Sequence, residues 1–261
     1  MSTVTDVEEL AAVLARGGFV AAQEEAGALV ARAGGDVDLL DSLVRRRLTG
    51  EPLGWIIGRV PFCGVQTRVA PGVYVPREHS QALAWRAVER LPAHGVAVDL
   101  CTGSGAIAQM LMAHRPTARV VACEVDERAA SCAEANGVEV YRGDLFTALP
   151  RWLQGCVDVV VGVLPYVPTS ELSLLQRDTF TFESSLAYDG GQDGTDLLRR
   201  AIADSATFLR GGGALLLELG GEQQVALADQ LELLGYRNVT ELTDSDGDLR
   251  GIEAIRSTHA A

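Results

Sequence analysis

In the segment Val96-Ala97-Val98-Asp99-Leu100-Cys101-Thr102-Gly103-Ser104-Gly105, an apolar run with strand character passes directly into a glycine turn, and Ala106-Ile107-Ala108 then opens a helical pattern. Gly103 and Gly105 let the backbone approach a ligand closely, and the unpaired N–H groups at the start of a helix favour an anion. Asp99 can meet an ammonium from the other side. A ligand bearing both a carboxylate and an ammonium suits this pair of features, and the methionine part of S-adenosylmethionine (SAM) is such a ligand.

The same residues satisfy G-x-G-x-x-A, and Glu124 follows at about the separation of an acid that accepts hydrogen bonds from ribose hydroxyls. A nicotinamide dinucleotide in an oxidoreductase is therefore the competing reading. Three features favour SAM: Asp99 ahead of the loop, a C-terminal antiparallel strand pair, and a Pro-Tyr loop after the fourth strand. The chain has no lysine, so a Tyr-x-x-x-Lys relay and Schiff-base chemistry are both excluded. The expected cofactor contacts are Asp99, Cys101, Thr102, Gly103, Ser104, Gly105, Glu124, Val125 and the run Gly143-Asp144-Leu145. Asp144 is placed either to bond the adenine amino group or to cap a helix.

Methyl transfer from a sulfonium is an in-line displacement, so the protein's task is to hold acceptor, methyl carbon and sulfur collinear in a dry pocket. Pro165 and Tyr166, in the loop after the fourth strand, are expected to wall that pocket, with Tyr166 offering an aromatic face to the cation. His79, Glu78 and Glu183 are the titratable candidates near the expected entrance for accepting a proton. Cys63, Cys101, Cys123, Cys132 and Cys156 form no C-x-x-C pair, and His79, His94, His114 and His259 are isolated, so no metal site is expected. Cys101, beside the glycine turn, is the position where a nucleophilic thiol would be sought.

With 261 residues, 48% of them hydrophobic, the chain can bury one large core and a smaller one. A net charge of -13 argues against a nucleic-acid partner, and the run Arg45-Arg46-Arg47 reads as a solvated helix end. No apolar stretch is long enough for a membrane span, and the first residues carry acids where a secretory signal carries bases. A cytoplasmic protein with no membrane partner is expected. The oligomeric state is left open.

Periodicity predicts three or so short helices over residues 7–48, broken by Gly17-Gly18 and Gly34-Gly35, then a β-hairpin built from 60–65 and 66–69. From about Ser80 the βαβ rhythm of a parallel sheet begins. Strands are predicted at 96–100, 120–124, 139–142, 157–161 and 214–219, with helices at 80–91, 105–114, 128–135, 196–208 and 222–234. The turn Gly211-Gly212-Gly213 is expected to lead into the fifth strand, and 238–243 with 251–256 to pair antiparallel at the sheet edge. The expected architecture is α/β: a doubly wound, Rossmann-like SAM-dependent methyltransferase domain over 80–261, preceded by a helical bundle at 1–50 and a hairpin linker at 51–79.

The chain resembles the HemK-type protein-(glutamine) methyltransferases, which methylate the side-chain amide of a glutamine in peptide-chain release factors. The likeness runs through Gly50-Glu51-Pro52-Leu53, Pro71 to Arg77, Asp99 to Gly105, Glu124, Gly143-Asp144-Leu145-Phe146, Leu186 to Gly194 and Gly211 to Gly220. It implies SAM as methyl donor, a protein substrate, and an acceptor side that includes Val163, Leu164 and Arg77. The family's Asn-Pro-Pro-Tyr motif, whose Asn accepts a hydrogen bond from the glutamine amide, stands here as Val163-Leu164-Pro165-Tyr166, and its Pro-Arg-Pro-Glu-Thr stands as Pro76-Arg77-Glu78-His79-Ser80. A site that loses a hydrogen-bonding partner loses orders of magnitude for the old substrate. The expected acceptor is therefore a small heterocyclic or aromatic molecule of specialised metabolism. The release factor is the alternative, and a SAM-binding module without catalysis is a third.

Overall fold

A computed structural model describes residues 7–175, 181–244 and 247–258; His259 lies outside the described residues. Helices α1 (Val7–Arg16), α2 (Ala22–Ala33) and α3 (Val37–Leu48) come first, followed by the short α4 (Leu53–Ile57). Leu10 and Leu14 of α1 share one face and pack on Ala26, Leu29, Leu40 and Leu43. Gly34 ends α2 in the left-handed conformation at φ 60, and the Asp36 side chain caps α3 by accepting from Leu39 N. Ile56 joins this core from beyond residue 50, where the helical part was expected to end.

The basic run on α3 is not simply solvated. Arg47 is buried, donates to both oxygens of Glu25 at 2.6 and 3.0 Å, and stacks over Phe19. Arg46 pairs with Glu51, which leaves Arg45 as the exposed member, paired with Asp41 one turn earlier. Sequence spacing alone did not show that an acid on α2 would face the third arginine.

Strands β1 (Arg59–Phe62) and β2 (Val65–Arg68) form an antiparallel hairpin. Its two turn residues, Cys63 and Gly64, both take positive φ, the geometry that matches strand twist in a two-residue turn. From α4, the Trp55 indole N–H donates to Val73 O at 2.9 Å and ties the helical part to the segment that enters the site.

The main sheet has seven strands: β3 (Val96–Leu100), β4 (Arg119–Glu124), β5 (Glu139–Arg142), β6 (Val157–Gly162), β7 (Leu209–Glu218), β8 (Tyr236–Thr243) and β9 (Leu249–Arg256), in the order β5-β4-β3-β6-β7-β9-β8. The first five run parallel, and β9 inserts antiparallel between β7 and β8. Alternation sends Val98, Leu100, Val121 and Cys123 to one face, with α8 (Asp196–Phe208) and α9 (Gln223–Leu233). Ala97, Val120, Ala122 and Val159 go to the other, with α5 (Gln81–Arg90) and α6 (Ala106–His114). Helix α7 (Glu127–Ala135) joins β4 to β5.

Two details differ from the sequence reading. The glycines 211–213 do not precede the fifth strand; they lie within β7, where pairing to β6 jumps from Val157↔Leu209 to Val159↔Ala214 and the intervening residues loop out. The C-terminal strands form a pair, but β9 also pairs with β7, so β8 alone is the outer edge. Strand order reverses at β3 and β6, which opens a crevice at their carboxyl ends, the usual ligand position in such sheets.

Candidate active site

The loop leaving β3 makes three left-handed turns in quick succession, at Cys101 (φ 52), Gly103 (φ 59) and Gly105 (φ 83). A Cβ on Gly105 would stand 3.0 Å from Ala133 Cβ and from Val138 Cγ2, so this glycine lets α6 close against α7. Its part is in packing, and it does not line the cavity described below. Cys101 is held on the cavity side, where burial pushes its thiol well above the usual range; it does not present a thiolate.

Asp99 is 1% exposed, and its Oδ2 accepts from Thr102 Oγ1 at 2.6 Å and Ala108 N at 3.1 Å. Burial lifts its carboxyl to about 7 despite those hydrogen bonds. Such a group gains from a cation brought against it. Glu124, at the end of β4, accepts from Gly103 N, Val125 N and Asp126 N at 2.8 to 3.0 Å and so ties the loops after β3 and β4 together. Its carboxyl is raised by burial, with those N–H groups opposing. Two carboxyls that burial makes reluctant to ionise flank a turn of close-approaching backbone, and this donor set fits a ligand with an ammonium and neighbouring hydroxyls.

A cavity of about 650 Å³ opens over these groups, within the range of small-molecule sites. The structure brings to it Asp99, residues 101–104, Glu124, Val125, residues 143–145 and 163–166, Arg77 and His79. Of the expected contacts, Gly105 and Glu183 do not line it. Asp144 reaches the cavity but gives its side chain to Arg200 at 2.6 Å and makes no helix-capping hydrogen bond.

The Pro-Tyr loop is clamped from below. Gly190 and Gly194 let the chain press against it: a Cβ on Gly190 would lie 2.8 Å from Pro165 O, and one on Gly194 2.2 Å from Tyr166 O. Gln223 Nε2 donates to the same Tyr166 carbonyl at 2.8 Å. Leu164 turns into the core at 1% exposure, whereas Val163 stays partly exposed at the cavity wall. The Tyr166 hydroxyl donates to Glu218 Oε1 at 3.2 Å, so its polar end faces an acid.

At the acceptor side, Glu183 is buried behind the cavity wall instead of at the entrance. It accepts from Val75 N at 2.8 Å, Arg77 Nη2 at 2.5 Å and the Tyr188 hydroxyl, and so fixes the entering segment against the loop at 183–188. Tyr74 packs edge-on to Tyr188 and lies beneath the Arg77 guanidinium. Glu78 is exposed and outside the cavity. His79 lines the cavity, and its Nε2 lies 3.3 Å from Glu218 Oε1. Glu218 was not among the expected site residues, although an acid closing the apolar run Leu215-Leu216-Leu217 is a signal in the sequence.

No family model matches the chain. It is 36% identical over 224 residues to the release factor glutamine methyltransferase of Moorella thermoacetica, covering 82% of this chain and 78% of that protein. The enzyme of the same name from Mycobacterium leprae is 38% identical over 201 residues, 74% of this chain and 68% of its own. The 4-amino-L-phenylalanine/4-methylamino-L-phenylalanine methyltransferase of Streptomyces pristinaespiralis is 37% identical over 195 residues, 69% of this chain and 65% of its own. In fold, the chain is similar to a ribosomal protein L11 methylase from Lactobacillus delbrueckii (TM-score 0.51, 16% identity, 77% and 90% covered). It is similarly close to a Thermus thermophilus rRNA methyltransferase solved with SAM and guanosine (TM-score 0.51, 17% identity, 78% and 45% covered). The methyltransferase names of the sequence relatives decide between the two cofactors in favour of SAM. The chain belongs to the release factor glutamine methyltransferase family and is a SAM-dependent methyltransferase.

Proposed function

We propose that this chain methylates a nitrogen atom presented to the wall formed by Val163, Pro165 and Tyr166. The observation that carries the reading is a single cavity joining that wall to the loop between Asp99 and Glu124. In it, the loop at 101–104 and Asp99 hold the amino-acid end of SAM, Glu124 its ribose, and Val125 with residues 143–145 the adenine side. SAM supplies an electrophilic methyl group there, and the residues of this chain bind, orient and exclude water. Residues 80–261 carry this chemistry, and the hairpin segment at 51–79, which follows the bundle at 1–50, adds Phe62, Val73, Tyr74 and Arg77 to the cavity wall.

The names of two of the three relatives described above point to the glutamine side chain of a peptide-chain release factor as acceptor. That is the first reading. Backbone carbonyls of the clamped loop remain to orient the amide. The second reading is a small aromatic amine, in keeping with the third relative's name. It is favoured by Val163, which offers an apolar surface where an amide substrate needs a hydrogen-bond acceptor.

Purified release factor and 4-amino-L-phenylalanine, each incubated with the chain and SAM and read by product mass, separate these readings. Methylated release-factor glutamine, enhanced by Val163→Asn, establishes the first. Methylated aromatic amine, weakened by the same substitution, establishes the second. No product from either removes both.

A further inference from the structure

We propose that His79 accepts the proton released by the acceptor nitrogen, and that Glu218 and Tyr166 are positioning residues acting on its imidazole. The inference rests on the nitrogen-acceptor reading above. His79 sits on the turn Glu78–Ser80 that leads into α5, lines the cavity and leaves 36% of its side chain exposed. Its Nε2 is buried, makes no hydrogen bond and lies 3.3 Å from Glu218 Oε1. Glu218 ends β7 at 1% exposure, and its Oε2 is also buried without a hydrogen-bond partner.

A buried carboxylate with spare acceptor capacity beside an unpartnered imidazole nitrogen is an incomplete pair while the ring is neutral. A proton arriving on the ring completes it as an ion pair. Among the described residues, the arginines and tyrosines around this point are engaged elsewhere or donate. Arg77 is bound to Glu183 and the Tyr188 hydroxyl, and Arg250 of β9 is bound to Asp244. Tyr166 donates to Glu218, and Tyr74 lies under Arg77. His79 is thus the cation that Glu218 can acquire. Glu218 does not itself line the cavity, so it acts through the ring.

An amide or aromatic amine nitrogen must lose a proton when it becomes a methylated neutral product. The nitrogen lone pair forms the bond to the methyl carbon, and the carbon–sulfur bond gives its electron pair to sulfur, which loses its positive charge. The N–H proton passes to His79 Nδ1, with Nε2–H turned toward Glu218, and leaves from the exposed side of the ring to water.

The test combines pH–rate profiles at saturating SAM with imidazole ¹⁵N spectra of the ligand-free protein, using His79→Gln and Glu218→Gln. His79→Gln is expected to lower kcat roughly tenfold or more with KM little changed. It should also abolish the rise of kcat with pH. Glu218→Gln is expected to move that rise to lower pH, since the imidazolium loses its counter-charge, and to shift the His79 ¹⁵N signals. A His79→Gln enzyme that keeps both its kcat and the rise overturns the proposal, as do ¹⁵N signals indifferent to Glu218→Gln. If the unaltered chain binds SAM yet methylates neither nitrogen acceptor, the nitrogen reading fails and the proton step with it, while the spectra still decide whether His79 and Glu218 interact.

Discussion

Gly194 approaches the carbonyl oxygen of Tyr166 so closely that a Cβ would lie 2.2 Å from it, and it does so at a φ of +76. Any side chain here must displace the backbone that shapes the acceptor wall. Gly194→Ala is expected to cost about 2 kcal/mol or more of stability and to depress turnover far more than SAM binding, because the cofactor loop lies on other strands. Calorimetric Kd for SAM set beside kcat would show it; equal losses in both would contradict the assignment of this contact to the acceptor side.

Asp99 makes ligand-free stability depend on pH. Its carboxyl titrates at about 7 when folded, against about 3.9 when unfolded. The folded chain therefore holds the extra proton between those values, and the contribution is present below the lower one and lost as pH rises through the upper one. The thermal midpoint without ligand is expected to fall between about pH 4 and pH 7, and less steeply in Asp99→Asn.

SAM binding at Asp99 follows from the same group. An ammonium favours the ionised carboxyl, so binding near about pH 6 should release a proton to the buffer. Calorimetry in buffers of different ionisation enthalpy measures this directly. Binding with no proton exchange would remove the ammonium from Asp99.

Glu124 is expected to matter for binding in two ways, through the ligand and through the three backbone N–H groups it accepts from. Asp99→Ala and Glu124→Ala should each weaken SAM at least roughly tenfold, a loss of about 1.4 kcal/mol or more. Titrations unchanged from the parent would refute the placement of the cofactor.

Glu253, on β9, is 1% exposed and receives hydrogen bonds from Arg86 and Arg90 of α5. Burial opposes its ionisation, but the two guanidinium groups outweigh that and hold the carboxyl below its usual value. Its contribution is present above the ordinary glutamate range and lost as pH falls through the lowered value. Glu253→Ala should cost about 2 kcal/mol near neutrality and less in acid, as urea titrations at two pH values would report. An equal cost at both would argue against the ion pair as its source.

The sequence by itself determined the parallel strands, the helices between them and the glycine loop with Asp99 and Glu124. Each of these is written in neighbouring residues: alternation of period two, amphipathic period near four, and a turn that needs glycine. It also located the Pro-Tyr loop and its departure at Val163. What only the tertiary structure decided lies between residues far apart in the chain. Glu183 was expected at the entrance and instead braces Arg77 and Val75 from behind; Arg47 found Glu25; β9 slid between β7 and β8. The meeting of His79, Tyr166 and Glu218 arises from a turn, a loop and a strand end whose proximity is set by sheet order and helix packing, and no local pattern encodes that.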